Sequence, residues 1–480
     1  MKNYLVKSLL FFVPAILFVG CAVGPHYETA DINTELGFTP RTGDLDLSTL
    51  SWWEQFDDSA LTDLIRVALE NNQSLVAAQA RWAESLAMVK QASGAKQPRL
   101  DASVSVARQG RSENGLVPVI EGSSDFPGRT ETLVSGGLQL SWEVDLFGRI
   151  NSQTEAVKKG ALVAQLGIED GRRLVLAATG RNYLQYVAYT RQVELLQRQI
   201  EQLSGIIEID RYRYQVGSVP KSTVDADQIQ LQQLKSRLPD LKVARESALL
   251  RLSVLTTLDA EQLRNRIDTE ESTDFSTAPF EGTTIDSDHL LNRPDLRMAR
   301  ARLDQSIAQR HVAVANLYPR FTLVGGLGQE SIDTGNLLDA ASRFWKLGPS
   351  LTLPILNGGQ LRSEVEVQQE EVKARLAEFR GSYLNALAES QNALNRYVQS
   401  FENLSAVQQQ VEATKEQDRA MENRYETGVI SKDQLYASHL GVVSMQSEWI
   451  NSKVRNAVAL IDLCEAVGGS WTPENRGDSM

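Results

Sequence analysis

Pro98-Arg99-Leu100-Asp101-Ala102-Ser103-Val104-Ser105-Val106 decides how this chain is read. Before Pro98 the apolar residues recur at helical spacing. After it they alternate strictly, Leu100, Ala102, Val104 and Val106 against Asp101, Ser103 and Ser105, which is the period of a strand with one apolar face. Proline ends the preceding helix, because its ring cannot continue the i→i−4 ladder. The same switch returns at Pro319-Arg320-Phe321-Thr322-Leu323, at an offset of 221 residues (319 − 98). That offset also relates Leu69-Glu70-Asn71 to Leu290-Leu291-Asn292, and Ala80-Arg81 to Ala301-Arg302. A repeat this long is not a solenoid unit. It reads as two copies of one domain.

Working outward, each switch opens a hairpin. After a Gly-, Pro- and Ser-rich loop, Leu138, Leu140, Trp142 and Val144 alternate with Gln139, Ser141 and Glu143. In the second copy, Leu347, Leu351 and Leu353 alternate with Gly348, Ser350 and Thr352. Each hairpin is followed by a proline-free helical stretch, about Arg149 to Tyr214 and Gln360 to Tyr425. At 1.5 Å per residue, ~65 residues make a helix of roughly 100 Å. Val372, Phe379, Ala386, Ala393, Ser400 and Val407 step by seven, and Leu376, Tyr383, Ser390, Tyr397, Leu404 and Val411 interleave with them. Tyr186, Val193, Ile200, Ile207 and Tyr214 form the matching seam of the first helix, with Tyr189, Leu196 and Leu203 between. This is coiled-coil periodicity. Each long helix ends at a glycine, Gly217 or Gly428, suited to a left-handed C-cap, and a return helix follows. Ser431 and Gln434 have the spacing of a capping box.

Four strands with one apolar face cannot close a membrane barrel within one chain. Open edges in hydrocarbon leave backbone groups unsatisfied, so chains must combine. Two copies give eight strands and a filled lumen, whereas three give twelve strands and an open one. The predicted fold class is therefore membrane α+β: a trimeric twelve-stranded barrel, four strands per chain, continued by a helical coiled-coil tunnel. A soluble sandwich with a coiled-coil arm would alternate equally well, but would not explain the duplication together with the lipid-type export signal.

That signal is N-terminal. Lys2 and Lys7 precede an apolar core from Leu9 to Val19, ending at Phe18-Val19-Gly20-Cys21. This resembles a bacterial lipobox, with cleavage before Cys21 and acylation of it. Several acyl chains on one cysteine anchor firmly. Residue 22 is Ala rather than Asp, which favours the outer membrane. Cys464 is the other of two cysteines; it reads as a small buried apolar residue, with a Cys21–Cys464 disulfide as the competing reading.

The 480 residues carry a net charge of −12, which argues against a nucleic-acid partner. The four histidines, His26, His289, His311 and His439, are scattered, with no i, i+4 pair and no Cys partner, so no metal site is expected. No phosphate-cradling loop or nucleophile elbow is present, and no cofactor or enzymatic activity is expected.

Six motifs in order resemble the outer-membrane factor family, in particular the lipoprotein branch of resistance-nodulation-division efflux systems. They are Cys21-Ala-Val-Gly24-Pro25-His-Tyr27, Trp52-Trp53-Glu-Gln-Phe56-Asp57-Asp58-Ser-Ala-Leu61 and Trp142-Glu-Val-Asp145-Leu-Phe147-Gly148-Arg149. The others are Asn292-Arg293-Pro294-Asp295-Leu296, Arg424-Tyr425-Glu-Thr-Gly428-Val429 and Ala466-Val-Gly468-Gly469-Ser-Trp471. The resemblance implies a homotrimeric exit duct of a tripartite efflux pump. It would sit in outer-membrane lipid, carry lipid on Cys21, and export small toxic compounds. Its implied partners are a periplasmic adaptor and an inner-membrane transporter. A type I protein-secretion duct is the alternative.

The expected organisation is a signal peptide 1–20, a lipidated extended segment 21–58, and a first repeat 59–259 with hairpin 98–146 and helix pair 149–258. A mixed equatorial linker 260–288 follows, then a second repeat 289–468 with hairpin 319–355 and helix pair 360–467, and a tail 469–480. The tips Gly217, Ser218, Val219 and Gly428, Val429, Ile430 are either adaptor contacts or ordinary capped turns. Asp225 and Asp227, with Asp433 in the second half, are either threefold carboxylate rings forming a periplasmic gate or solvated surface acids. Asp225 and Asp227 are two positions apart, so at most one faces directly inward. The family's usual gate acid in the second half falls here on Ala437. Trp142, Phe344 and Trp345 are expected to flank the strands as an aromatic girdle, or to pack at the barrel rim.

Overall fold

The computed structural model describes residues 52–110, 130–267 and 290–469. Cys21, the signal peptide, most of the 21–58 segment, the linker beyond Ile267, His26, His289 and the tail beyond Gly469 lie outside the described residues. Two compact units are present. Among the described residues, one comprises 83–110, 130–163 and 300–378, and the other comprises 52–82, 164–267, 290–299 and 379–469.

The first unit holds the sheet. Strands β1 (Arg99–Gly110), β2 (Thr130–Val144), β3 (Arg320–Ser331) and β4 (Arg343–Thr352) lie in that order, each antiparallel to the next. The β2–β3 pairing joins the two hairpins into one sheet. The register aligns the alternating residues across all four strands. Ala102 faces Leu138, Leu138 faces Leu327, and Leu327 faces Trp345; likewise Val144, Phe321 and Leu351 share a row. One face is therefore apolar over most of its length, with Ser331, Gln329 and Arg343 at one end, and it is uncovered: Leu100, Val104, Val106, Leu327, Trp345, Leu347 and Leu351 are all exposed, Trp345 by 82%. The opposite face carries Ser103, Ser105, Ser135, Gln139, Thr322 and Ser350. Ser105 and Ser135 hydrogen-bond at 2.8 Å between their hydroxyls. Among the described residues, the outer edges of β1 and β4 have no strand partner.

The register separates the three girdle candidates. Trp142 and Trp345 lie on the apolar face, Trp142 opposite Leu323 and Trp345 opposite Leu327, toward opposite ends of the sheet. Trp142 donates its indole N–H to the Lys96 carbonyl at 3.0 Å. Phe344 pairs with Gly328 and so belongs to the polar face. Adjacent residues of a strand cannot share a face. The phenyl ring instead lies over Gly328, where a built Cβ would come within 3.0 Å of it.

Apart from the sheet, the described elements are helical. A 3-10 turn at Trp52–Phe56 leads into α1 (Ser59–Asn71), whose N-cap Asp58 accepts from Leu61 N at 2.9 Å and from the Tyr183 hydroxyl at 2.6 Å. Next comes α2 (Gln73–Gly94), which gives way to turn-type backbone bonds before Pro98. Helix α3 (Arg149–Gln215) returns through α4 (Lys221–Thr256), and α5 (Ala260–Ile267) follows. Beyond these, α6 (Pro294–Ala315) precedes β3, and α7 (Gln360–Glu426) returns through α8 (Lys432–Ala466). Both long helices end within one residue of their expected limits. Helix α4 runs through Pro239 at the loss of one backbone bond.

The seam residues Val372, Phe379, Tyr383, Ala386, Ser390, Ala393, Tyr397, Val407 and Val411 are buried, as are Tyr186, Val193, Leu196, Leu203 and Ile207. Tyr214 ends its seam exposed. The main core gathers Trp52, Phe56, Leu61, Leu64, Leu184, Leu249, Leu252, Leu263, Leu460 and Leu463. Cys464 belongs to it as a free thiol, pushed up to about 12 by burial.

Candidate functional site: the capped turns and their charge network

Both turns are Schellman closures. At the first, Gly217 N donates to Tyr214 O at 2.9 Å and Ser218 N to Arg213 O at 2.7 Å. At the second, Gly428 N donates to Tyr425 O at 2.9 Å and Val429 N to Arg424 O at 2.8 Å. Gly217 has φ +76° and Gly428 φ +73°, with open space where a Cβ would stand. Conformation rather than crowding therefore requires glycine here. Ser218 and Val429 are exposed, while Val219 and Ile430 are half-buried. Val216, Tyr214 and Val429 add exposed apolar surface. At the start of α8, Gln434 Oε1 accepts from Ser431 N at 3.1 Å, as the capping-box spacing predicts.

The three candidate gate acids have three different environments. Asp225 is exposed, beside Gln228, Ile229, Gln232 and Ser236 on α4. Asp227 is half-buried, its Oδ2 is shielded from solvent without a hydrogen-bond partner, and its neighbour is the buried Asp210 of α3. Burial first, and Asp210 second, push its carboxyl above the ordinary range. Asp433 is not a free acid. Arg213 of α3 donates to both of its oxygens, at 2.7 and 2.9 Å, and reaches Asp210 at 3.4 Å. Burial opposes the charged form of Asp433, but the Arg213 bonds outweigh it and hold the carboxyl below the usual range. Ala437 is exposed. The sequence reading missed Arg213 and Asp210, since 220 residues separate Arg213 from its partner.

Asp227 yields a signed prediction. Its folded pKa is raised, so the ionised form costs stability. The cost grows as pH rises from about 3.9 and is complete above the folded value. Asp227→Asn should stabilise the protein by about 0.5–1 kcal/mol at pH 7. The gain should vanish near pH 3, where the parent carboxyl is itself neutral. Thermal unfolding at the two pH values measures it.

A four-stranded sheet with a bare apolar face, on a chain with two pairs of long capped helices, defines a subunit of an outer-membrane channel. The comparisons make this specific. The family model described as outer membrane efflux protein matches residues 64–257 and 287–469, and the chain belongs to that family. It is 25% identical over 467 residues to nodulation protein T of Rhizobium leguminosarum bv. trifolii, covering 96% of each chain. It is also 25% identical over 430 residues to the pyoverdine export outer membrane protein OpmQ of Pseudomonas aeruginosa, covering 89% of this chain and 88% of OpmQ. Among solved structures, the Campylobacter jejuni CmeC outer membrane channel superposes with a TM-score of 0.79 at 24% identity, covering 94% and 95% of the two chains. The protein is an efflux component of the outer membrane.

Proposed function

We propose that three copies of this chain close a twelve-stranded barrel and continue as a helical tunnel into the periplasm, forming the passive exit duct of a tripartite pump. One observation carries this reading: among the described residues, the sheet has a bare apolar face and two unpaired outer edges. In hydrocarbon such edges must pair, and the partners available are the β1 and β4 edges of further copies. The lumen face is then the one bearing serine, threonine and glutamine. The two matched family segments coincide with the repeats 59–259 and 289–468, which supports the duplication. Acylation at Cys21 supplies the anchor. The tips at Gly217, Ser218, Val219 and Gly428, Val429, Ile430 meet a periplasmic adaptor, through which an inner-membrane transporter of the resistance-nodulation-division class delivers small cargo. The export named for OpmQ supports small-molecule cargo. The native mass of the detergent-extracted, lipidated protein tests the assembly: a trimer is expected, and a stable monomer would overturn it.

In this duct the Arg213–Asp433 pair ties the first helical hairpin to the second within each subunit and holds the gate closed. Asp433→Asn or Arg213→Ala should raise single-channel conductance in planar bilayers. The sign with pH follows from the depressed Asp433 carboxyl: the tie is intact above about pH 4 and lost as pH falls through the folded value. Conductance equal to the parent in both variants would remove the gate.

A further inference from the structure

A third chemical cluster lies above the second turn and takes no part in the charge network just described. Helix α7 presents Asp418 and Glu422, four positions apart and therefore on one helix face. Helix α8 presents His439 against them. The His439 Nδ1 is 3.0 Å from each Asp418 oxygen, and donor atoms of all three residues lie within 4.8 Å of one another. Asp418 is largely buried, its side chain only 14% exposed, whereas Glu422 is open to solvent. No described lysine or arginine is ion-paired with either carboxylate, although most acids along α7 with a charged partner have found a basic one at i±3 or i±4, as Glu371, Glu378 and Glu412 have.

We propose that Asp418, Glu422 and His439 bind one divalent first-row transition-metal ion, which clips α7 to α8 above the Gly428 turn. Three features carry this. First, the separation permits coordination: two donors at ~2.1 Å from one ion in tetrahedral geometry are roughly 3.4 Å apart, and the His439–Asp418 hydrogen bond, at 3.0 Å, has only a few tenths of an ångström (~0.4 Å) to open. Second, the charge suits a dication. A protonated imidazole would answer Asp418 alone and leave Glu422 unmatched, whereas a 2+ ion answers both carboxylates. Third, the donor set selects the class. One imidazole with two carboxylates fits Zn2+, Co2+, Ni2+ or Mn2+, while Ca2+ and Mg2+ prefer all-oxygen shells. Water reaches the site from the Glu422 side and completes the coordination. The donors come from two helices, so metal affinity and the closeness of α7 to α8 are one quantity.

The test uses the full-length protein in detergent after treatment with chelator, and it does not depend on the trimer. Zn2+ is titrated by calorimetry and Co2+ by its d–d absorption. One ion per chain is expected, uncontested by millimolar Mg2+. Affinity should fall about tenfold or more in His439→Ala and in Glu422→Gln, and stay unchanged in His311→Ala. Added Zn2+ should raise the unfolding temperature of the parent and not of His439→Ala, because only a native site is stabilised by mass action. All three side chains sit on helix faces, and unchanged circular dichroism verifies that the variants fold. Equal affinity and stoichiometry in parent and His439→Ala would overturn the proposal, as would the absence of any Co2+ absorption in the parent.

Discussion

Replacing Arg293 by alanine should destabilise the protein by about 3–5 kcal/mol, the usual result of removing one partner from a buried charged group. Arg293 is only 3% exposed. Its Nε and Nη2 donate to the two oxygens of Asp295 at 3.1 and 2.8 Å. Nη2 also reaches Glu389 of α7 at 3.1 Å, and Nη1 reaches the Ala466 carbonyl at the end of α8 at 2.5 Å. One guanidinium thus fixes the start of α6 to the end of α8, and satisfies a terminal carbonyl that the helix itself leaves open. Gly468 makes room for it: a Cβ there would stand 2.7 Å from Arg293 Cγ, and φ is +88°. Without the guanidinium, Asp295 loses what holds its carboxyl below the ordinary range against burial. A pH signature follows. The Asp295 part of the parent's advantage is full above about pH 4 and is lost as pH falls through the depressed folded value, so the gap should narrow there, while the Glu389 and Ala466 bonds keep it from closing. Arg293→Lys should recover only part of the loss, since an ammonium cannot span a carboxylate and a carbonyl in one fork. Chemical denaturation of parent and both variants across a series from pH 7 down to about pH 2 measures all of this. A loss under 1 kcal/mol in Arg293→Ala would refute the joint.

This joint marks where the sequence was readable and where it was not. Asn292-Arg293-Pro294-Asp295-Leu296 and Ala466-Val-Gly468-Gly469 were each recognisable as motifs, yet nothing in either says that they form one contact. The ends of α3 and α7 were legible to within a residue, because glycine-capped turns and proline-free seams are local signals. The strands were legible for the same reason. What local patterns cannot carry is the rotation of one helix against another. That rotation sets Arg213 against Asp433, His439 against Asp418, and Asp227 rather than Asp225 against Asp210. Spacing rules for metal donors look along one helix, so they passed over a cluster divided between two. Phe344 and Trp345 follow a simpler rule: neighbouring residues in a strand point oppositely, so only Trp345 of the pair stands on the apolar face.

The second large effect is expected at the strand pairing that unites the two hairpins, where Gly137 faces Gly328. A Cβ on Gly328 would lie 2.4 Å from the Gly136 carbonyl oxygen and 2.8 Å from Gly137 Cα; one on Gly137 would lie 2.6 Å from the Leu327 carbonyl oxygen. The obstacles are backbone atoms, so no side-chain rotation relieves them. The strands must separate or slip, and a slip by one residue would turn Leu138 and Leu327 from the apolar to the polar face. Gly328→Val should therefore cost more than the ~1–3 kcal/mol typical of core overpacking, and should abolish assembly of the sheet in membranes. Gly348→Val provides the control. It lies on the same face of β4 as Phe344, and its Cβ would meet nothing within 4 Å. Membrane extraction followed by native mass measurement separates the cases: the control should give the same assembled species as the parent, and Gly328→Val should give none. An assembled Gly328→Val protein would mean that β2 and β3 do not pair in this register.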